Sequence, residues 1–540
     1  MPVPDLLSDK PSVRLDTAAL KQTLTFAFAS GVPESSFAQL LEGASLPAST
    51  WEPRSFAKEL FLLELVAGCC KVAIAGHAYA IDRNNLVRVL SRPPASRATA
   101  DFRRAILREL STADRMRADL ERVYVSLHQF RTQLATPPAP RRIDANRRRL
   151  DILASVKSAI DAMAESFEGS SSGLATLREF GAEVRASEAF RQLTALLDYH
   201  DNLSTLDVRV RVGLDGRVRG LEMLAIRENE GNWFYASPLG RFLGKLAAFL
   251  RGYRFSEQEM LARLVDRVFE GVEEAIVQLF QLIGDIEFYL AAMAFRDLAE
   301  KSGLSVCLPE LVLPDAPSSP RFFRGLFNPH LLAQGVRVVP CDIETPRPDM
   351  IVIVTGPNSG GKTRLLQSLA IAQMMGQAGF FTPARDARLT LAPGLFVSLI
   401  EEATADQTEG RLGTELIRIR SLFEKMRVGS MAILDELCSG TNPSEGEEIF
   451  ELVITLLAEL TPQAFITTHF LQLAARIAQR PPVPGLAFFQ VELDPHQFPT
   501  FRFISGVAET SLAQRTAARL GVTREELLAL VEASKRAYRG

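Results

Sequence analysis

The 540-residue sequence contains few cysteines, only two tryptophans and almost no net charge. Its five cysteines have no paired spacing typical of a zinc site or of a disulfide framework, so we expect a reducing, cytoplasmic location. The 61 basic and 64 acidic side chains nearly cancel. Any binding to nucleic acid therefore depends on a local basic surface and not on the charge of the whole chain.

Signals for membrane insertion and export are also missing from the sequence. The most apolar stretch, residues 60–81, contains Glu64, Lys71 and His77, which are costly to place in lipid. The first residues, MPVPDLLSDK, lack the basic-then-apolar order of a signal peptide. We therefore expect no membrane partner and no export.

The length and the apolar content favour several packed domains. At roughly 150 residues per domain, the chain has room for three to four of them, and 47% apolar residues are enough to form packed cores. The pattern along the chain predicts a packed N-terminal domain at 1–96, a mainly helical region at 97–320, a nucleotide-binding domain at 321–510 and a helical segment at 511–540.

Within the helical region, one long helix is predicted at 256–301. Apolar residues from Val265 to Met293 recur in alternating steps of four and three, which is a heptad seam. Ser256, with Glu259 three residues later, forms a capping box at the start of this pattern. At a rise of 1.5 Å per residue, such a helix is roughly 65 to 70 Å long.

A β-hairpin with one basic face is predicted near residues 206–226. Valines and arginines alternate on both sides of a turn pair, Asp215-Gly216. The candidate DNA-binding residues on this face are Arg209, Arg211, Arg217 and Arg219. The alternative is that the arginines keep an exposed edge strand from aggregating.

Arginine is also frequent upstream of this hairpin. Residues 97–149 contain thirteen arginines against six acidic residues. A solvated helix face is the first interpretation, and a face that contacts phosphate is the alternative.

The strongest signal for chemistry is a phosphate-binding loop, GPNSGGKT, at residues 356–363. It directly follows an apolar run of buried-strand type, MIVIVT. Glycines allow successive backbone amides to point at phosphate oxygens, while Lys362 pairs with the β- and γ-phosphates and Thr363 binds Mg²⁺. The predicted ATP-binding residues are Gly356, Pro357, Asn358, Ser359, Gly360, Gly361, Lys362 and Thr363.

Two further strand ends carry candidate catalytic groups. MAILDE, residues 431–436, places Asp435 as a second metal ligand beside Thr363 and Glu436 as the base that activates the attacking water. AFITTH, residues 464–469, ends in His469, a candidate contact to the γ-phosphate. A strand cap and a structural histidine are the alternatives. The pattern predicts a Mg²⁺-dependent ATP hydrolase with Lys362, Glu436 and His469 as catalytic residues.

Together with CSGTNPSEG at residues 438–446, these segments resemble the MutS family of ATPases. The shared patterns read GPNSGGK, DELCSGTNPSEG and TTHF, and the likeness extends over about 322–535. The resemblance implies an α/β P-loop ATPase domain of the ABC class, preceded by helical levers and a clamp-like hairpin. The turn NPSEG is more similar to the second MutS branch, and neither a mismatch-recognition domain nor that branch's C-terminal nuclease-type domain is recognised.

The resemblance also implies partners. It implies a homodimer with composite ATP sites, dimerisation through 511–540, and a grip on branched or distorted duplex DNA in repair or recombination. The family's serine signature, which reaches across the dimer, has its nearest counterparts at Gly413, Thr414 and Glu415. Two alternatives stay open at this point: an ABC-class ATPase that remodels protein partners without DNA, and a nucleotide-gated scaffold with negligible turnover.

Overall fold

The computed structural model describes residues 3–137, 145–200, 204–212, 218–228, 257–314, 320–399, 411–438, 442–509 and 524–539. The chain divides into two compact units. The first unit consists of Met1–Pro47, Val72–Arg88 and Asp101–Met293, and the second consists of Ala48–Lys71, Val89–Ala100 and Ala294–Gly540. This division distributes residues 1–96 over both units, because side chains within 48–71 bond to backbone groups near residues 329 and 395.

The N-terminal half of the chain is mainly helical. Its helices are α1 Thr17–Ser30, α2 Glu34–Gly43, α3 Leu62–Cys69, α4 Arg83–Leu90, α5 Arg97–Thr112, α6 Asp114–Ala135, α7 Ala145–Glu165, α8 Ala175–Ala186, α9 Glu188–His200 and α10 Glu257–Lys301. Two short strands, β1 Val72–Ile74 and β2 His77–Tyr79, pair as an antiparallel hairpin. The N-terminus of α1 is capped by Asp16, whose side chain accepts hydrogen bonds from two backbone amides.

The predicted long helix is confirmed as α10, which has 45 residues. In the first unit its apolar face packs on aromatic side chains of other helices, with Phe28 stacked on Phe269 and Phe37 on Phe280. The capping residue Ser256 lies outside the described residues. The part Ala262–Lys301 is long and apolar enough to span a membrane, but its most apolar window is entirely buried inside the protein, as in the core helix of a large domain.

The predicted hairpin is also confirmed. Strand β3, Ser204–Val212, pairs antiparallel with β4, Val218–Glu228, with register shifts after Asp207 and after Arg211. The turn pair Asp215-Gly216 lies outside the described residues.

The second unit contains two sheets. A four-stranded sheet consists of β5 Glu310–Val312, β6 Arg321–Leu326, β7 Cys341–Thr345 and β9 Asp386–Thr390, in the order β5-β9-β6-β7. A six-stranded sheet consists of β8 Ile351–Thr355, β10 Leu395–Ser398, β11 Met431–Leu434, β12 Gln463–Thr467, β13 Leu486–Leu493 and β14 Pro499–Ser505. The remaining helices are α11 Pro329–Ala333, α12 Lys362–Gln377, α13 Arg411–Lys425, α14 Pro443–Ala458, α15 Leu471–Gln479 and α16 Arg524–Arg539.

The six-stranded sheet has the order β10-β11-β12-β8-β13-β14. Its first five strands are parallel, and β14 is antiparallel to β13. Strands β8, β11 and β12 are fully buried, as their continuous apolar runs predict. Because they are parallel neighbours, their carboxyl ends meet at one edge of the sheet, which is where α/β proteins bind ligands.

Candidate nucleotide site

The loop from Gly356 to Gly361 connects β8 to α12. Gly356 has φ 132° and Gly361 has φ 86°, a left-handed backbone that favours glycine. Gly360 is required for a different reason: a Cβ there would lie 2.7 Å from a methyl group of Val491, on the neighbouring strand β13. Glycine is therefore required at Gly356 and Gly361 by backbone conformation, and at Gly360 by the close approach of β13.

Lys362 is the first residue of α12, and its side chain is buried under the loop. Its Nζ donates hydrogen bonds to the carbonyl oxygens of Gly356 at 3.0 Å and Pro357 at 3.2 Å. Burial lowers the pKa of Lys362, and the carboxylates of Glu436 and Asp435 oppose that shift. The ammonium group is thus held in a dry loop by neutral oxygens and by two acids at a distance.

Asp435 links three elements of the site. Its Oδ2 accepts a hydrogen bond from Thr363 Oγ1 of the loop helix, and its Oδ1 accepts one from Thr467 Oγ1, at the end of β12. The backbone amide of Glu436 in turn donates to Thr467 Oγ1 at 2.8 Å. Two hydroxyls and a carboxylate therefore converge where β8, β12 and β11 end.

Glu436 stands at a strained turn directly after β11. Its φ is 48°, and Cys438, two residues later, has φ 64°. Left-handed backbone is uncommon for residues other than glycine and is concentrated at functional sites. Burial raises the pKa of Cys438 to about 12, so its thiol is inert packing behind the turn.

Among the described residues, no hydrogen bond joins the His469 side chain to Asp435, Thr363 or Thr467. It follows the end of β12, its side chain is exposed, and its ring lies beside that of Phe470 at 4.5 Å between centroids. The structure therefore places His469 at the edge of the sheet where β12 ends. Its contact with a phosphate stays a prediction.

A cavity of about 470 Å³ begins at the loop and continues over the start of α12. The loop side is formed by Asn358, Ser359 and the first residues of α12, and the far side is apolar, with Leu331, Val336, Val338, Phe501 and Phe503. Asn328 supports this wall, since its Nδ2 donates to the Arg364 carbonyl at 3.1 Å. This size and mixture of walls are typical of a site for a nucleotide-sized ligand.

Several of these residues were missed by the sequence patterns. Thr467 was detectable, because it is the first threonine of the TTH segment, but its bond to Asp435 depends on the order of the strands. Phe501 and Phe503 lie about 140 residues from the loop and belong to a strand with no motif. Only the antiparallel pairing of β14 with β13, which runs beside β8, brings them to the cavity.

The other predicted contact residues are only partly described. Arg209 and Arg211 lie on β3, opposite Glu222 and Gly220, and the side chain of Arg211 is exposed. Arg219 lies on β4, while Arg217 lies outside the described residues. In the cross-dimer signature, Gly413, Thr414 and Glu415 fall in the first turns of α13.

Comparison with known proteins agrees with this geometry. Residues 352–529 match the family description "MutS domain V". An endonuclease MutS2 from Thermus thermophilus is 28% identical over 390 residues, which are 70% of this chain and 49% of that protein. These matches support a MutS-family protein close to the MutS2 branch.

Other MutS2 proteins match shorter stretches. The endonuclease MutS2 of Thermomicrobium roseum is 29% identical over 279 residues, covering 50% of this chain and 35% of that protein. The one from Brevibacillus brevis is 32% identical over 187 residues, covering 34% and 23%. The chain therefore spans half or less of the length of these curated MutS relatives.

Proposed function

We propose that the second unit binds ATP with Mg²⁺ and hydrolyses ATP to ADP and phosphate. The observation that carries the proposal is the chain of hydrogen bonds from Thr363 through Asp435 to Thr467 and the Glu436 amide. It joins the loop helix to two strand ends at the edge of a parallel sheet, beside a cavity of nucleotide size. The match of residues 352–529 to MutS domain V gives independent support.

The residues present fit both ligands. The Thr363 hydroxyl and the Asp435 carboxylate, 2.5 Å apart, are hard oxygen donors of the kind that Mg²⁺ prefers. The Lys362 ammonium lies under a loop whose backbone approach is free of Cβ atoms at Gly356, Gly360 and Gly361. A bound Mg²⁺ ion would neutralise charge on the β- and γ-phosphate oxygens.

The chain's own groups then have distinct tasks in hydrolysis. Lys362 exchanges its carbonyl partners for phosphate oxygens, which compensate its charge better in a buried site. The Glu436 carboxylate accepts the proton of the attacking water, and its strained backbone fixes the direction of its side chain. His469, exposed at the end of β12, donates to the γ-phosphate.

The apolar end of the cavity takes the base of the nucleotide. Phe501 is half-exposed, and one of its ring carbons lies 3.4 Å from the position of a Cβ built on Gly361. An exposed aromatic ring beside a phosphate loop offers a stacking surface that a purine covers.

We further propose that the nucleotide state switches a grip on DNA, preferably branched or distorted duplex, in repair or recombination. Support comes from the MutS2 relatives, from the 45-residue helix α10, and from the arginines of the β3–β4 hairpin. A homodimer with composite ATP sites, paired through 511–540, belongs to this proposal. The word endonuclease in the relatives' names describes those proteins, and the proposal for this chain contains no nuclease step.

The test measures ATP hydrolysis with no DNA and with duplex, mismatched and branched DNA. We expect hydrolysis that depends on Mg²⁺ and is changed most by branched DNA, with DNA affinity falling steeply as salt rises. Absence of DNA binding at low salt would favour the alternative of an ATPase acting on protein partners. Absence of turnover together with tight ATP binding would favour a nucleotide-gated scaffold.

A further inference from the structure

Residues 48–71 belong to the second unit although they are far from it in sequence. We call this segment the clasp. It contains a 3-10 turn, Pro53–Ser55, and helix α3. The chain on either side of the clasp, Met1–Pro47 and Val72–Arg88, groups with the first unit. The sequence of the clasp contains no motif that indicates a role in nucleotide chemistry.

Three clasp side chains, each four residues after the last, bond to the backbone next to strand β10. Trp51 Nε1 donates to the carbonyl of Ala392 at 2.8 Å, and Ser55 Oγ donates to that of Leu395 at 2.9 Å. The third side chain is that of Glu59, whose Oε2 accepts a hydrogen bond from the amide of Leu399 at 2.9 Å. The clasp thus follows the whole length of β10 with one face.

Strand β10 is the edge strand of the six-stranded sheet, and β11 is its neighbour on the inner side. Backbone groups of β10 alternate in direction: the carbonyl of Ser398 accepts from Asp435, which follows β11, while that of Leu395 accepts from the clasp. An exposed edge of this kind otherwise presents unpaired amides and carbonyls to solvent. The clasp covers the edge with side chains in place of another strand.

The last of these contacts leads to the metal ligand. Glu59 accepts a hydrogen bond from the Leu399 amide. This amide and the Ser398 carbonyl belong to one peptide group. That same carbonyl accepts the backbone amide of Asp435 at 2.9 Å. A peptide group is planar and rigid, and hydrogen bonds at its two ends strengthen each other. Glu59 therefore acts on Asp435 through a single rigid unit.

We propose that Glu59 is a positioning residue for Asp435 and thereby sets the Mg²⁺ affinity of the nucleotide site. Asp435 stands where β11 ends, and its two carboxylate oxygens are aimed by Thr363 and Thr467. Its backbone amide donates to the carbonyl of the Ser398–Leu399 peptide. This inference rests on the proposed function, since it takes Asp435 to be the metal ligand.

The experiment compares Glu59→Ala with Glu59→Gln, which keeps an acceptor oxygen, and with Glu64→Ala, which removes an exposed carboxylate from α3 of the clasp. Binding of a fluorescent ATP analogue is titrated with Mg²⁺ and repeated in EDTA. For Glu59→Ala we expect the Mg²⁺ concentration at half-saturation to rise about five- to tenfold, with unchanged affinity in EDTA, because the hydrogen bond to the Leu399 amide is lost. Glu59→Gln and Glu64→Ala should behave as the native chain does.

A second measurement follows the same bond directly. Hydrogen exchange of a peptide containing Leu399 should be faster in Glu59→Ala than in Glu59→Gln or Glu64→Ala. If Glu59→Ala does not fold, judged by affinity in EDTA, Glu59→Asp replaces it, because the shorter side chain withdraws the acceptor.

Asp435→Asn separates the two proposals. If Asp435→Asn abolishes the Mg²⁺ dependence and Glu59→Ala leaves it unchanged, the role of Glu59 is refuted and the proposed function stands. If neither variant changes the Mg²⁺ dependence, the metal assignment in the proposed function is wrong. Equal effects of Glu59→Ala and Glu59→Gln would also overturn the inference, since they would assign the effect to charge.

Discussion

The two units of the chain hold their buried charges in opposite ways. In the first unit, Arg14 lies between Asp5 and Asp285, with its Nε 3.2 Å from an oxygen of Asp5, and all three side chains are buried. In the second unit, the buried Lys362 ammonium bonds to backbone carbonyls, and the Asp435 carboxylate bonds to hydroxyls. In the first unit, the buried charges are compensated by opposite charges. In the second unit, the charged groups bond to neutral partners.

A second cluster of the first unit follows the same pattern as Arg14. Glu287 of α10 accepts from Arg131 at 3.2 Å, from the Tyr124 hydroxyl at 3.1 Å and from the amide of Asp82 at 2.8 Å. Such closed networks fix how elements pack. Charges held by neutral groups beside a cavity are instead typical of sites that bind a charged ligand. The comparison separates buried charges that are paired with opposite charges from a buried charge that is held by neutral groups.

The largest effect that sharpens this contrast is expected for Glu436→Gln. The variant removes the proposed base and keeps the size of the side chain, so hydrolysis should fall by about 10² to 10⁴-fold. Nucleotide affinity and thermal stability should stay close to native, because the substitution keeps the backbone bond of residue 436 to Thr467. Single-turnover hydrolysis and analogue binding measure the two separately; equal turnover of both proteins would refute the assignment.

Arg14→Met tests the closed network with the reverse outcome. It leaves two buried carboxylates without their cation, so the free energy of unfolding should fall by about 3 to 5 kcal/mol. Chemical denaturation of the full chain gives the number, and Lys21→Met, at an exposed ion pair with Glu273 and Glu274, is the matched control. The control should change stability by less than about 1 kcal/mol. A similar loss in both variants would contradict the contrast.

Gly360→Ala tests whether nucleotide binding requires a residue without a Cβ at position 360. The added methyl group meets Val491, so nucleotide affinity should fall by about tenfold, which corresponds to overpacking of about 1 to 3 kcal/mol. Val491→Ala in the same chain should restore part of the affinity, because it removes the clash from the β13 side. Isothermal titration with ATP and Mg²⁺ measures both variants. Lack of any rescue would show that another contact of Gly360, such as the Pro357 carbonyl, decides the effect.

The smallest effect concerns pH and the Asp5 carboxyl. Burial, with the neighbouring Asp285, raises the pKa of Asp5 to about 6 although Arg14 opposes the shift. The folded state then binds the Asp5 proton more tightly than the unfolded state does. The contribution of Asp5 to the free energy of unfolding is therefore fully present below the unfolded pKa and is lost as pH rises through about 6. Asp5→Asn, which mimics the protonated form, should stabilise the protein by about 1 kcal/mol at pH 7.5.

At pH 5 the same Asp5→Asn substitution should have little effect, because the native carboxyl is mostly protonated there. Urea unfolding at both pH values measures the difference, and Asp151→Asn, a substitution of an exposed carboxylate on α7, serves as the control. Stabilisation that is equal at pH 5 and pH 7.5 would show that the proton on Asp5 is not its cause.

The sequence predicted the elements that depend on local patterns. Helix α10 and the β3–β4 hairpin are where their periodicities place them, and the strands before Gly356, Asp435 and His469 are strands. Heptads, alternation and buried runs are properties of neighbouring residues, so one sequence is enough to read them. The solvated face that is the first interpretation of the arginines in 97–149 does not extend to Arg103, Arg104 and Arg131, which are buried.

Contacts between distant segments were beyond such patterns. The division of 1–96 between two units, the clasp on β10 and the aromatic wall at Phe501 join residues far apart in sequence. No spacing rule connects Glu59 with Leu399. No spacing rule connects Arg14 with Asp285 either, although the two residues form a buried ion pair.

For the nucleotide loop, the sequence by itself determined the residues and their order: the glycines, Lys362, Thr363 and the acidic pair Asp435-Glu436. The tertiary structure decided which of them meet, since β12 lies between β8 and β11 and brings Thr467 to Asp435. It also decided what supports them, because Glu59 reaches the Ser398–Leu399 peptide only in the folded unit. The reason is physical: local patterns fix secondary structure, whereas the pairing of strands and the covering of edges are settled by packing between distant segments.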